Sequence, residues 1–139
     1  MSLLRRRRPP VPADVPEGFW CAEALALKRS IDSARRFARA PGETRARLTL
    51  DDGAEGRVVV LWENVVVGFV PAAHTPGLRP QLRAARPASL VADGRVLEHA
   101  GLWRVWVGPP WPGEAPPPPP PDELGPPPDT ILGIPWRTT

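Results

Sequence analysis

A strong signal for a β-hairpin lies in the middle of the chain, at residues 57–71, which read RVVVLWENVVVGFVP. Two runs rich in β-branched residues flank the polar pair Glu63-Asn64, which is typical of two strands joined by a tight turn. Gly68 inside the second run indicates a bulge or a close backbone approach, and Pro71 ends the strand. The segment therefore predicts two adjacent antiparallel strands.

Strand signals also lie on both sides of this hairpin. Residues 45–50, RARLTL, alternate polar and apolar side chains, as a half-buried strand does. Turn-forming Asp and Gly follow at residues 51–56. Residues 88–96 and 102–107 predict a last strand pair joined by residues 97–101. We therefore expect about five short strands, which suit a small antiparallel β-barrel or curled sheet.

Two helices are predicted around these strands. Residues 19–40 show a helical spacing of apolar side chains and end before Pro41-Gly42, which stops a helix. A shorter helix follows the hairpin, with Thr75 as its N-cap and residues 76–85 as its body. The fold class is therefore α+β, with an amphipathic helix before the sheet and a short helix inserted into it. The apolar stripe of the first helix consists of Trp20, Ala24, Leu27, Ile31, Ala34 and Ala38.

Charge and proline content divide the chain into three parts. Residues 1–16 contain four consecutive arginines with no apolar signal core behind them, and we expect a disordered basic leader. Residues 17–108 are expected to form a single domain. Residues 109–139 hold 13 of the 22 prolines, so we expect a disordered, proline-rich tail.

Charge is distributed unevenly along the chain. Residues 1–50 carry 11 basic and 5 acidic side chains, whereas the tail carries 1 basic and 4 acidic side chains. This asymmetry favours an anionic partner for the front half, or contact between the two ends.

No catalytic or metal-binding constellation is recognisable. One cysteine and two histidines exclude a disulfide framework and a His-rich metal site. Cys21 is interpreted as a small buried thiol, and neither His74 nor His99 has a nucleophile or a carboxylate pair beside it in sequence. No apolar run approaches the roughly 20 residues that span a bilayer. We therefore expect a cytoplasmic protein with no enzyme activity, no cofactor and no membrane span.

The basic residues carry the clearest functional signal. They recur at helical spacing in both predicted helices, and one of them shares a strand face with a tryptophan. Arginines beside an aromatic ring suit a phosphodiester chain and a stacked base, although arginines also cover surfaces in a chain where 17 of 18 basic residues are Arg. The candidate nucleic-acid-binding residues are Arg35, Arg36 and Arg39 of the first helix, Arg79, Arg83 and Arg86 of the second, and Arg104 with Trp106 of the last strand.

One short motif, VGFVP at residues 67–71, connects the chain to a known family. It follows a strand and a polar turn, and it precedes R-P-x-L at residues 79–82 and a closing strand pair. This order, over residues 57–107, resembles the second half of HIRAN domains. Those are small β-barrels, some of them attached to helicase-like enzymes, that hold the end of a DNA strand. The resemblance implies a nucleic-acid-binding module.

The upstream half of the chain departs from that family. HIRAN domains carry an E-P-x-N-P-x-D-like segment and tyrosines that meet the DNA. This chain has no tyrosine, and residues 48–56 do not reproduce the segment. The capture of a strand end is therefore not carried over, while Gly68, Phe69 and Pro71 match as framework residues.

Three functions are consistent with these patterns. The leading hypothesis is a non-enzymatic, HIRAN-like module that binds nucleic acid mainly through phosphates, with little sequence specificity. A second is a protein–protein interaction adaptor whose proline-rich tail docks a partner. A third is a protein held at an anionic membrane surface by its basic leader and first helix. The partner-binding residues of the adaptor would be Ile131, Leu132, Ile134 and Trp136.

Overall fold

The computed structural model describes residues 8–127 in full and the backbone of residues 130–131 and 134–135. Over these residues the chain has the predicted α+β fold, with two helices and a curled, mostly antiparallel sheet. A separate two-stranded pair follows the proline-rich segment. The helices are α1 Lys28–Ala38 and α2 Thr75–Ala85, and the strands are β1 Val11–Pro12, β2 Phe19–Trp20, β3 Thr44–Asp52, β4 Val58–Trp62, β5 Val65–Phe69, β6 Leu90–His99, β7 Leu102–Val107, β8 Thr130–Ile131 and β9 Ile134–Pro135.

The main sheet curls until its two ends meet. Its strand order is β2-β7-β6-β3-β4-β5, and β1 runs parallel to β6 beside this path. Directly after β2, the Cys21 N–H donates to the Val105 carbonyl of β7 (2.9 Å), and the Ala22 N–H donates to the Phe69 carbonyl of β5 (2.8 Å). The segment 19–22 therefore joins both ends of the sheet. The sheet has more strands than the five expected, because β1 and β2 lie in segments predicted as leader and helix.

Both hairpins close with two-residue turns. Glu63 and Asn64 have φ values of 53° and 63°, and Ala100 and Gly101 have values of 54° and 81°. Positive φ at both central residues is the type I′ geometry, which matches the twist of the flanking strands. The first turn was predicted at its observed place. The second is shorter than predicted, because residues 97–99 continue β6 instead of forming a loop.

Gly68 is both a bulge site and a site of close approach, as its place inside a strand predicts. Val60 pairs with Gly68 whereas Leu61 pairs with Val66, so β5 carries one extra residue. A Cβ atom on Gly68 would lie 2.8 Å from the sulfur of Cys21. The segment that joins the sheet ends therefore passes directly over this glycine.

The sheet buries apolar side chains on both of its faces. On the inner face, Leu48 and Leu50 of β3 are fully buried, while the alternate residues Arg45 and Arg47 face outward. Ile31 and Ala34 of α1 and Leu78 and Leu82 of α2 complete this core. A second, smaller cluster, here called the tryptophan cluster, covers the outer face of β7 and consists of Trp20, Leu97, Trp106 and the partly buried Trp111.

The first helix is shorter than the helical spacing predicts. Phe19 and Trp20 form β2, a turn follows, and α1 begins only at Lys28. Both aromatic residues are buried and paired with β7, a distant strand that a local apolar pattern does not reveal. The start of α2 also differs in detail, since Thr75 is its first residue and donates its hydroxyl to the Ala72 carbonyl (3.1 Å) instead of capping it.

The described parts of both ends predicted to be disordered contact the domain. Within the predicted leader, the Val11 N–H donates to the Ser89 carbonyl (2.9 Å) and so extends the sheet. Within the predicted tail, the Pro117 carbonyl accepts a hydrogen bond from the Trp20 indole (2.8 Å). Backbone and side-chain groups of the domain hold these segments in place. The rest of both segments lies outside the described residues, apart from the backbone of β8 and β9.

Candidate nucleic-acid interface

An arginine in a left-handed conformation closes the C-terminal end of α1. Arg39 has φ 55° and ψ 48°, and its N–H donates to the Arg36 carbonyl (3.1 Å). The Ala40 N–H donates to the Arg35 carbonyl (2.9 Å), which completes a Schellman motif. Glycine is the usual residue at this position, because a β-carbon strains the left-handed backbone. A charged side chain therefore occupies a site whose backbone favours glycine.

Exposed cations and an exposed aromatic ring surround this helix end. The side chains of Arg36 and Arg39 are exposed and make no hydrogen bond or ion pair with another described residue. Phe37 lies between them in sequence and is 78% exposed. A groove of about 420 Å³ runs beside both arginines and Pro41. We call Arg36, Phe37 and Arg39 the α1 basic surface; its chemistry suits phosphate contacts and base stacking.

Arg35, the third candidate of α1, is a structural residue. Its guanidinium lies 3.4 Å from the centre of the Trp103 ring and 3.5 Å from the Asp32 carboxylate. It also donates to the Pro41 carbonyl at 3.3 Å, and its side chain is only 18% exposed. Arg35 therefore holds α1 against β7, and its guanidinium is occupied within the fold.

Two residues of the predicted arginine row of α2 bind the end of β3 and the loop that follows it. Arg79 donates to the Gly56 carbonyl, and Arg86, just beyond the helix, pairs with the Asp52 carboxylate at 2.9 Å. Arg83 is exposed and has no partner among the described residues. One of the three arginines therefore remains fully available to a ligand.

Arg104 and Trp106 share a strand face, as predicted, but both are buried. Arg104 is 6% exposed and donates from Nε to the His99 carbonyl (3.0 Å). Trp106 is 2% exposed, and its indole donates to the Pro109 carbonyl (2.8 Å). The segment beginning at Pro109 covers this face with Trp111, whose ring centre is 5.1 Å from that of Trp106. The expectation that this pair forms an open binding platform is therefore wrong for the chain in this conformation.

The arginines of the two helices lie at opposite ends of β3. The chain passes from α1 through Pro41 into β3 at Thr44, whereas Arg86 of the α2 row pairs with Asp52, the last residue of β3. Nine residues of strand at about 3.3 Å per residue separate these ends by about 26 Å. The predicted basic residues therefore form two separate surfaces.

Two features of the surface escape sequence reasoning. Phe37 is absent from the predicted site, although its place outside the apolar stripe of α1 is a usable signal. On the outer face of the sheet, Arg45 lies directly opposite Arg95, beside a groove of about 550 Å³ that Arg47 also lines. The alternation of β3 places Arg45 and Arg47 outside, but nothing local indicates that β6 is their neighbour.

The groups capable of acid–base or metal chemistry are dispersed or used in packing. His74 stacks on Phe19 with ring centres 4.5 Å apart, and His99 stacks on Trp20 at 5.2 Å. Burial raises the pKa of the Cys21 thiol well above its usual range, because the thiolate would be desolvated. Among the described residues, no three His, Cys, Asp or Glu side chains are grouped closely enough to hold a metal ion.

Neither described helix has the length and apolar character needed to cross a membrane. No family model, curated protein or solved structure matches the chain. The side chains of Ile131, Leu132, Ile134 and Trp136, predicted to dock a partner, lie outside the described residues, so the adaptor function stays a prediction.

Proposed function

We propose that this chain is a HIRAN-like, non-enzymatic module that binds nucleic acid through the α1 basic surface. Its contacts are mainly to phosphates and distinguish little between sequences, because the phosphates are the same whatever the bases. The resemblance at residues 57–107 suggests this class of module. The α1 basic surface replaces the family's upstream tyrosine-bearing half as the proposed contact site.

The backbone of Arg39 is the observation that carries the proposal. A left-handed non-glycine residue costs about 1 kcal/mol or more, and such strain is concentrated at binding sites. Here the strained residue presents to a groove a charge that has no partner among the described residues. Arg36 lines the same groove and likewise has no described partner, and Phe37 follows it in sequence with an exposed ring. A glycine at this position would relieve the strain but remove the charge.

This trade-off supplies the test. We expect Arg39→Gly to raise the free energy of unfolding by about 0.5–1 kcal/mol. The same substitution should weaken binding to labelled single-stranded DNA. It should also lower the salt slope, which is the slope of log affinity against log salt concentration, by about 0.7 in magnitude. Phe37→Ala should weaken binding to single strands more than to duplexes, because only unstacked bases reach the ring. The measurements are urea unfolding and fluorescence anisotropy across a salt series.

Lys28→Gln provides the matched control, since Lys28 is an exposed cation at the other end of α1. It should leave both the affinity and the stability close to wild type. If Arg39→Gly binds DNA with the affinity and salt slope of wild type, the α1 basic surface is not part of the binding site.

A further inference from the structure

The outer face of the sheet carries two arginines side by side on neighbouring strands. Arg45 of β3 lies directly opposite Arg95 of β6, a position at which like charges destabilise a sheet. The Glu43 carboxylate, 3.2 Å from the Arg95 guanidinium, offsets one of the two charges. Arg45 is exposed and has no hydrogen-bond or ion-pair partner among the described residues. The pair therefore keeps one uncompensated charge, which a bound anion would neutralise.

A third arginine continues this row along β3. Arg47 lies two residues beyond Arg45, so both side chains project from the same face of the strand. Arg47 is exposed, and it forms no ion pair with Asp93, its neighbour on β6. These three arginines and Asp93 line the groove of about 550 Å³ on this face. We call Arg45, Arg47 and Arg95 the outer arginine groove; it remains positively charged after Asp93 and Glu43 are counted.

The acidic tail does not neutralise this groove in the part that the structure describes. Pro110 borders the groove, but Glu114, Asp122 and Glu123 do not line it. Glu123 lines a different cleft, and its N–H donates to the Glu23 carboxylate there (3.0 Å). The charge of the groove therefore fits an anion that comes from outside the described chain.

The outer arginine groove begins at the same end of β3 as the α1 basic surface. Arg39 closes α1, and Arg45 follows it by six residues. Six extended residues span at most about 22 Å, which is an upper limit on the separation of the two Cα atoms. A stacked nucleic-acid strand advances about 3.4 Å per nucleotide, so a strand of about ten nucleotides exceeds this separation. One single strand is therefore long enough to reach both surfaces.

We propose that the outer arginine groove is a second contact for the phosphate backbone of the nucleic acid that the α1 basic surface binds. This inference rests on the proposed function and adds the class of ligand, namely single strands long enough to occupy both surfaces. A phosphodiester strand carries one negative charge per nucleotide, which suits arginines spread over two strands of a sheet. Binding at one surface raises the effective concentration of the strand at the other, so affinity should rise with strand length.

Fluorescence anisotropy with labelled oligothymidylates of about 4 and about 15 nucleotides tests the proposal, since single-strand sites span about 4–16 nucleotides. The double variant Arg45→Gln/Arg47→Gln should bind the long probe on the order of tenfold more weakly at about 0.1 M salt. The magnitude of its salt slope should fall by about 1.4, because two phosphate contacts are lost. Binding of the short probe should change by less than about twofold, since a short strand can stay on Phe37 and its neighbouring arginines.

Two further double variants serve as controls. Arg45→Lys/Arg47→Lys keeps both charges and should retain the salt slope of wild type. Lys28→Gln/Arg83→Gln removes two exposed cations that do not line the groove, and it should bind the long probe as wild type does. Circular dichroism verifies the fold of each variant.

The outcomes separate this inference from the proposed function. If Arg39→Gly weakens binding of the long probe but Arg45→Gln/Arg47→Gln does not, the second contact is overturned and the α1 basic surface stands. If neither variant weakens the binding that wild type shows, both proposals are overturned. Equal losses on the short and the long probe would contradict a second contact. Equally strong competition by an oligoglutamate of the same charge would assign the groove to an acidic protein segment and also overturn the inference.

Discussion

At the scale of single residues, Gly68 shows how one position couples three parts of the fold. It lies at the bulge of β5, and it leaves room for Cys21 where the segment 19–22 joins the two ends of the sheet. No side chain fits there, because the added atom would press on the Cβ and the sulfur of Cys21. The glycine is therefore required by close approach and not by an unusual backbone angle.

Gly68→Ala should lower the free energy of unfolding by about 1–3 kcal/mol, since overpacking forces the joining segment to shift. Gly77→Ala in α2 is the matched control, because nothing lies within 4 Å of its added atom. The control should stabilise the protein by about 0.5–1 kcal/mol through helix propensity. Urea unfolding of both variants measures these changes, and a wild-type stability for Gly68→Ala would contradict the close approach.

The buried thiol of Cys21 predicts a dependence of stability on pH. Its pKa is raised in the folded protein, while in the unfolded chain it lies near about 8.5. Above that pH the unfolded chain releases a proton that the folded protein retains, so the free energy of unfolding falls by up to about 1.4 kcal/mol per pH unit. Below that pH the thiol has no effect. Unfolding of wild type and Cys21→Ala between pH 7 and 10 should show the steeper decline in wild type, and parallel profiles would contradict burial of the thiol.

The residues of the candidate site show where sequence reasoning stops. The spacing of Arg104 and Trp106 correctly places both on one face of β7, but only the structure shows that Trp111 covers that face. Arg35 belongs to the same basic helix as Arg36, yet its neighbour Trp103 is distant in sequence and draws it into the fold. The alternation of residues along a strand predicts the face on which a side chain lies, but it does not predict which distant residues cover that face.

At the scale of elements, the hairpins are the parts that sequence predicts best. A polar pair between two β-branched runs is self-contained, because the turn and both partners lie within 15 residues. Phe19–Trp20 is the opposite case, since its apolar spacing fits a helix and its partner strand β7 lies near the end of the domain. Long-range pairing, which no local pattern reveals, converts it into a strand.

The second hairpin offers a test of its turn geometry. Ala100 occupies a left-handed position at φ 54°, where asparagine is better tolerated than alanine. Ala100→Asn should therefore raise the free energy of unfolding by about 0.5–1 kcal/mol in thermal unfolding experiments. Gly101→Ala, at φ 81°, should lower it. A destabilising Ala100→Asn would argue against a type I′ turn.

At the scale of the whole molecule, the described proline-rich segment is part of the folded structure. It lays Trp111 into the tryptophan cluster, meets Trp20 at Pro117, and satisfies the buried carboxylate of Glu23. Composition alone favours a disordered tail, because prolines form no regular hydrogen-bonded structure. The contacts arise because the domain presents donors and acceptors that composition does not show.

The positions of the exposed arginines in the fold decide where a ligand can meet several of them together. The exposed arginines of the two helices lie at opposite ends of β3, and among the described residues the α1 basic surface combines such arginines with an exposed aromatic ring. Arginine contacts to phosphates release counterions, so affinity falls linearly with the logarithm of salt concentration. Little preference for sequence accompanies such binding.

The most direct measurement is the binding of the purified chain to labelled single-stranded DNA, duplex DNA and RNA by fluorescence anisotropy across a salt series. We predict binding at low salt that weakens steeply as salt rises, with single strands preferred because they can stack on Phe37. Failure to bind any of the three at low salt would contradict the proposed function.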